Sequence, residues 1–181
     1  MVEIKRFSVD IDGVMHKAVK AAAEFRKLNQ EQTDRIVEAV YRAGFNNRIQ
    51  LAKLAFEETH LGVLKDKIMK NVIATRVVYQ DLKNQKTAGV ISEDPENGIV
   101  EIAQPLGPIF AITPITNPTS TVLFKILISM KSRNPIIMRP HSSAKRSSCA
   151  AVKICLDAAL AAGAPDQLHG AAKVASWTWP R

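Results

Sequence analysis

Apolar positions recur at helical spacing through the first eighty residues and at strand spacing afterwards. After Asp12-Gly13, the residues Val14, Ala18, Ala21, Ala22, Phe25 and Leu28 line one face of a helix. Asn29-Gln30-Glu31-Gln32 interrupts the stripe, and a second amphipathic helix carries Ile36, Val37, Val40, Tyr41 and Phe45. A third is predicted from about Asn47 to Glu58, with Ile49, Leu51, Leu54, Ala55 and Phe56 inward. His60-Leu61-Gly62 stops it, because glycine suits the left-handed position after a helix. A mixed helix from Lys65 to Leu82 ends in the polar run Lys83-Asn84-Gln85-Lys86.

The pattern then changes period. Ala88-Gly89-Val90-Ile91-Ser92 and Ile99-Val100-Glu101-Ile102-Ala103 flank the turn-forming Glu93-Asp94-Pro95-Glu96-Asn97-Gly98, which predicts a β-hairpin or ribbon. An α/β cadence follows: strand Ile109 to Thr113, helix Thr119 to Lys131, strand Pro135 to Arg139 and helix Ser142 to Ala162. Apolar strands alternating with helices imply parallel βαβ units with right-handed crossovers. The expected fold is therefore α/β: N-terminal helices and a short hairpin leading into an incomplete, Rossmann-like parallel sheet. The expected organisation is a helical part over 1–86, a hairpin over 87–104, a partial cofactor-binding α/β unit over 105–170 and a tail over 171–181.

Charge sharpens this picture. The chain of 181 residues carries 25 Lys and Arg against 17 Asp and Glu, a net charge of +8. From Thr119 onward nine basic residues face two acids, so nearly the whole excess lies in the α/β half. Those cations are dispersed with few aromatics between them, which argues against nucleic acid and for an anionic cofactor. No apolar run approaches membrane-spanning length, and the start has no apolar signal core; a cytoplasmic setting is the default. Cys149 and Cys155 lie six apart in one helical segment and face different sides of it, so they form neither a disulfide nor a metal clip. His16, His60 and His169 have no cluster of ligating neighbours, and no metal is expected.

The chemistry concentrates in Pro114-Ile115-Thr116-Asn117-Pro118-Thr119-Ser120-Thr121, a polar turn between a strand and a helix. Open α/β sheets place ligands there, outside the carboxyl ends of the strands. The Asn117 amide can donate to an oxyanion; equally, Asn at N-cap with Pro118 at N1 is a favoured helix start. Arg139-Pro140-His141 ends the second strand, where a cation suits a dinucleotide and an imidazole can stack or hydrogen-bond, while a solvated strand-end Arg and a helix-start His are the plain alternatives. Gly163 and Pro165 serve a turn, and no G-x-G-x-x-G pattern is present.

Taken together, these segments resemble the aldehyde dehydrogenase superfamily, and within it the coenzyme A-acylating branch that includes the amino-terminal part of bifunctional aldehyde-alcohol dehydrogenase-like proteins. The resemblance runs from Phe25 to Gln167. It is carried by Gln30 to Val37, Leu51 to Thr59, Lys65 to Asn71, Lys86 to Ile91, Ile102 to Gly107, and above all Thr116-Asn117-Pro118-Thr119-Ser120-Thr121 with Phe124-Lys125, Lys131-Ser132-Arg133-Asn134 and Pro140-His141. Ala161-Ala162-Gly163-Ala164-Pro165 closes it.

The resemblance implies oxidation of a small, acetaldehyde-like aldehyde to an acyl-coenzyme A with NAD, through a cysteine thiolate and a hemithioacetal oxyanion. It gives Asn117 the oxyanion role. Thr116 is the alternative, because the wider superfamily has its Asn one residue earlier relative to the preceding Pro. It places the cofactor along Pro114, Thr116, Arg139, His141, Gly163 and Pro165. Ser142 and Ser143 replace the usual Pro and Arg, and Ile115 stands where the acylating branch usually has a hydroxyl. The family's nucleophilic Cys falls in a region this sequence does not reach, and Gly170 to Arg181 looks unrelated to the family. A truncated chain without acylating activity of its own is therefore expected, associating as a homo-oligomer or with a family member. A non-catalytic cofactor-binding or interaction module is the second reading.

Overall fold

A computed structural model describes residues 10–165. The expected tail over 171–181, the end of the α/β unit, and His169 lie outside the described residues. Helix α1 (Ile11–Phe25) starts where the Asp10 carboxylate accepts from the Gly13 N–H at 2.8 Å. The polar run after it is the start signal of α2 (Gln30–Asn46). Asn29 accepts from the Gln32 N–H, and the Gln32 side chain accepts from the Asn29 N–H, each at 2.9 Å, closing a capping box.

Helix α3 (Arg48–Thr59) ends differently from expectation. The left-handed C-cap residue is His60 (φ 53°), with Gly62 (φ 74°) two residues on. The His60 N–H still bonds the Phe56 carbonyl at 2.9 Å, which ties down a conformation that a non-glycine residue adopts at some cost. Helix α4 (Leu64–Val72) continues through a wider π turn over Ile73–Val77 into α5 (Val78–Leu82). At the junction the Thr75 hydroxyl donates to the Asn71 carbonyl at 2.6 Å. A π turn inside a helix often lies beside a functional site.

Strands β1 (Gly89–Asp94) and β2 (Ile99–Ala103) form the expected antiparallel hairpin, with a bulge between Val90 and Ser92. Strands β3 (Ile109–Thr113) and β4 (Ile136–Pro140) pair in parallel from Ile109↔Ile136 to Thr113↔Pro140, with α6 (Pro118–Lys131) crossing between them. A short 3-10 turn, Ser142–Ala144, leads into α7 (Lys145–Ala161).

One core spans both halves of the described chain. Phe25 of α1, Ile36, Val37 and Val40 of α2 and Leu51 of α3 pack with Leu123 and Leu127 of α6, Met138 of β4 and Cys155 of α7. Each large side chain fully buried in this way contributes roughly 1.5–3 kcal/mol. On the other face of β4, Ile137 packs on Ala18 and Val14 of α1. The corresponding face of β3 is open, with Phe110 61% and Ile112 68% exposed. The hairpin likewise exposes Val90, Ile99, Val100 and Ile102.

Candidate active site

Thr113 and Pro140 pair at the carboxyl ends of the two parallel strands, so the segments leaving them begin side by side. The His141 N–H donates to the Thr113 carbonyl at 3.1 Å and closes the corner. The Thr113 hydroxyl is buried there without a hydrogen-bond partner among the described residues.

Asn117 occupies the N-cap of α6 and Pro118 its first turn, yet the Asn117 side chain makes no capping bond. Pro118 already fixes the helical φ and has no N–H to satisfy, so the helix starts without the amide. The Asn117 Oδ1 instead accepts from Lys70 Nζ at 2.9 Å, and Nδ2 donates to Thr116 Oγ1 at 3.3 Å. An ammonium only donates, which requires the amide oxygen to face Lys70 and its NH₂ to face away. One Nδ2 hydrogen serves Thr116, and the other remains for an acceptor in the turn.

The turn rests on one face of α4. Lys67 Nζ donates to the Thr116 carbonyl at 3.1 Å. The fully buried Asn71 accepts from the Thr119 hydroxyl at 3.0 Å and donates to the Arg48 carbonyl at 2.9 Å. Residues 67, 70 and 71 are neighbours on a helix face, so a single face grips positions 116, 117 and 119. Burial, reinforced by the nearby charge of Lys70, holds the Lys67 ammonium below the ordinary lysine value. Sequence reasoning missed these three residues, although a Lys and an Asn on the inward stripe of α4 were a readable signal.

The sequence-predicted cofactor residues fall into two groups. Pro114, Thr116 and His141 are exposed at the corner, and Arg139 is half-buried beside them. The Arg139 Nη1 donates to the Pro140 carbonyl at 2.9 Å. His141 Nδ1 accepts from the Ser143 N–H at 3.2 Å, which places its proton on the outward Nε2. Gly163 (φ 95°) and Pro165 sit past the far end of α7, separated from the corner by a helix of 17 residues, roughly 25 Å long. The start of α7 is already occupied by a carboxylate: Glu58 accepts from the Arg146 and Ser147 N–H groups, both at 2.7 Å. That helix terminus is therefore satisfied within the chain.

Burial holds both cysteine thiols above the ordinary cysteine value. Burial pushes the Cys155 thiol up to about 12. Cys149 is also raised by burial, against a smaller lowering by Lys145. Both lie in α7, Cys155 buried in the core and Cys149 half-buried on another side of the helix. Among the described residues no three His, Cys, Asp or Glu side chains gather as metal ligands, and no helix is long and apolar enough to cross a membrane.

Comparison with known proteins identifies the frame. The model of the aldehyde dehydrogenase family matches residues 5–177. The bifunctional aldehyde-alcohol dehydrogenase of Escherichia coli K12 is 45% identical over 161 residues, covering 89% of this chain and 18% of that protein. The acetylating succinate-semialdehyde dehydrogenase of Clostridium kluyveri is 36% identical over 160 residues, covering 88% of this chain and 35% of its own length. The crystal structure of an acetylating aldehyde dehydrogenase from Geobacillus thermoglucosidasius superposes with a TM-score of 0.84 at 43% identity, over 87% of this chain and 35% of that one. This chain thus spans about a third or less of the length of these relatives.

Proposed function

The chain belongs to the aldehyde dehydrogenase family, and we propose that its corner around Asn117 is the oxyanion and cofactor side of a coenzyme A-acylating aldehyde dehydrogenase using NAD. The observation that carries this reading is the amide of Asn117. It stands at the carboxyl end of β3, is not spent on capping α6, and is turned by Lys70 so that it donates rather than accepts.

When a thiolate adds to an aldehyde carbonyl, the oxygen gains a full negative charge. A donor fixed in advance at that point stabilises the charge without reorganisation, an effect of about 10²–10³ in rate for one such donor. The Asn117 Nδ2–H is that donor, and the Thr116 hydroxyl beside it is the second candidate.

NAD, when bound, supplies the hydride acceptor for the aldehyde carbon, and coenzyme A is the acyl acceptor. The residues present fit a dinucleotide. Arg139 and the outward Nε2–H of His141 lie together at the strand ends, and the excess positive charge falls in this half of the chain. Gly163 and Pro165 belong to the same proposal on the family resemblance, as residues toward the adenine side.

The two cysteines favour a division of labour. With both thiols raised by burial, this chain supplies the oxyanion corner while the nucleophile comes from family sequence or a second polypeptide beyond it. The exposed apolar hairpin and the open face of β3 suit association with a like chain or a family member. A small aldehyde is the substrate.

Calorimetric titration of NAD and of coenzyme A against the chain tests this reading. Binding that weakens in Arg139→Ala supports it, as does the absence of NADH formation with acetaldehyde and coenzyme A. No binding of either cofactor would leave an interaction module as the function. Turnover by the chain alone would refute the division of labour.

A further inference from the structure

We propose that Lys70 is a positioning residue whose ammonium sets the rotamer and polarity of the Asn117 amide, with the face of α4 serving as a template for the turn. The role as oxyanion donor rests on the reading above; the positioning itself does not.

A half-exposed Asn side chain ordinarily samples both amide orientations, and only one offers N–H to an incoming oxygen. Three contacts remove that freedom. Lys67 holds the Thr116 carbonyl at 3.1 Å and Asn71 holds the Thr119 hydroxyl at 3.0 Å, so a residue on each side of Asn117 is tied to α4, one through its backbone and one through its side chain. Lys70, on the same face, then meets Asn117 Oδ1 at 2.9 Å. Among the described residues Lys70 pairs with no carboxylate, and this amide is its one hydrogen-bond partner.

An ammonium against Oδ1 does more than orient. It draws electron density toward the oxygen and makes the Nδ2–H a stronger donor, because hydrogen bonds in a chain polarise one another. The arrangement is thus a relay in which Lys70 acts on the reacting oxygen only through Asn117. It also explains why the N-cap residue leaves its own helix uncapped: Pro118 starts α6, and the amide is committed across 47 residues of sequence to α4.

The test uses the isotopically labelled full chain and the side-chain NH₂ resonances of Asn117, assigned by their loss in Asn117→Ala. In the native chain their order parameter should approach the rigid-backbone value of about 0.85, and in Lys70→Met it should fall below about 0.6. Lys70→Arg, which keeps a cation of similar reach, should restore most of it. Backbone resonances of α4 and α6 should be unchanged in both variants. Native order in Lys70→Met would overturn the proposal, as would failure of Lys70→Arg to restore order in a folded chain.

Should Lys70→Met fail to fold, the reciprocal measurement decides. The Lys70 Nζ resonance should shift toward that of a solvated lysine in Asn117→Ala, and an unmoved resonance would overturn the proposal. An ordered Asn117 amide in a chain that binds neither NAD nor coenzyme A would sink the oxyanion reading and leave the positioning intact.

Discussion

The carboxylate of Glu58, near the end of α3, accepts from the Ser147 N–H in the first turn of α7 at 2.7 Å, with the Arg146 N–H at the same distance on its other oxygen. The residues are 89 apart in sequence, yet Glu58 caps α7 as a local Asp or Ser would. Ala144 stands at the N-cap position and has no side chain for the task. Negative charge is also favoured at a helix start. Glu58→Ala should therefore destabilise the chain by about 1–2 kcal/mol, the cost of losing a helix cap. Glu58→Gln, which keeps one acceptor oxygen, should lose less. Urea unfolding of the two variants gives the comparison.

Arg133 plays a similar long-range role at the other end of the sheet. Its two terminal nitrogens donate to the carbonyls of Arg26, Leu28, Thr87 and Ala103 at 3.0–3.2 Å, joining the α1–α2 turn, the approach to β1 and the end of β2. The residue is 5% exposed and adopts φ 57°. A lysine has the charge but not the fork, and cannot reach four carbonyls on two sides. Hydrogen bonds to a charged group contribute about 1.5–3 kcal/mol each and do not add fully, so Arg133→Lys should cost about 3 kcal/mol. Limited proteolysis should find the β1–β2 hairpin cut earlier in the variant.

Both devices lay beyond sequence reading, and the reason is physical. The strands and helices of the α/β half were legible nearly to the residue, because apolar runs there are bounded by Asn117-Pro118 and Asn134-Pro135. Asn29 and Gln32 carry the spacing of a capping box, a local signal. Glu58, Lys67, Lys70 and Arg133 act across tens of residues, and periodicity, which can place Lys67 on the inward stripe of α4, does not report whom they contact. The apolar run from Ile109 to Thr113 is legible as a strand of the sheet, but not that Phe110 and Ile112 are open in the described structure. Likewise, Asn117 and Pro118 showed a helix start, but nothing local revealed that the amide belongs to α4.

Two buried groups pull the alkaline stability in opposite directions. The Cys155 thiol rises from an ordinary 9.0 to about 12, so between those values the native chain holds a proton that the unfolded chain has released. Stability from this group is full below about pH 9 and is lost as pH rises toward about 12. Lys67 is held below its ordinary 10.5, so in its window the unfolded chain holds the extra proton and stability rises with pH. Chemical denaturation at steps from pH 8 to 11.5 should show Cys155→Ala removing part of the alkaline fall. Lys67→Met should make that fall steeper, because it removes the opposing rise.

Lys131 and Asp34 form the one ion pair among the described residues with a buried member: Nζ to Oδ1 is 2.6 Å, with side-chain exposures of 2% and 40%. The asymmetry predicts an asymmetric response. Asp34→Ala strands a buried ammonium whose remaining acceptor is the Lys83 carbonyl at 3.5 Å, a loss of about 3–5 kcal/mol. Lys131→Met returns a half-exposed carboxylate to water and should cost less. The double variant should then recover much of the Asp34→Ala loss, giving a large coupling energy in a double-mutant cycle. The pair also reaches the hairpin. Gln30 donates to Asp34 at 2.9 Å and accepts from the Thr87 N–H at 2.7 Å, while the Thr87 hydroxyl donates to the Lys131 carbonyl at 2.6 Å. Hydrogen exchange at Thr87 and Ala88 should therefore accelerate in Asp34→Ala even where the global midpoint is corrected for. Unchanged exchange there would show that the hairpin root is held independently of the ion pair, by Gln30, the Lys131 carbonyl and Arg133.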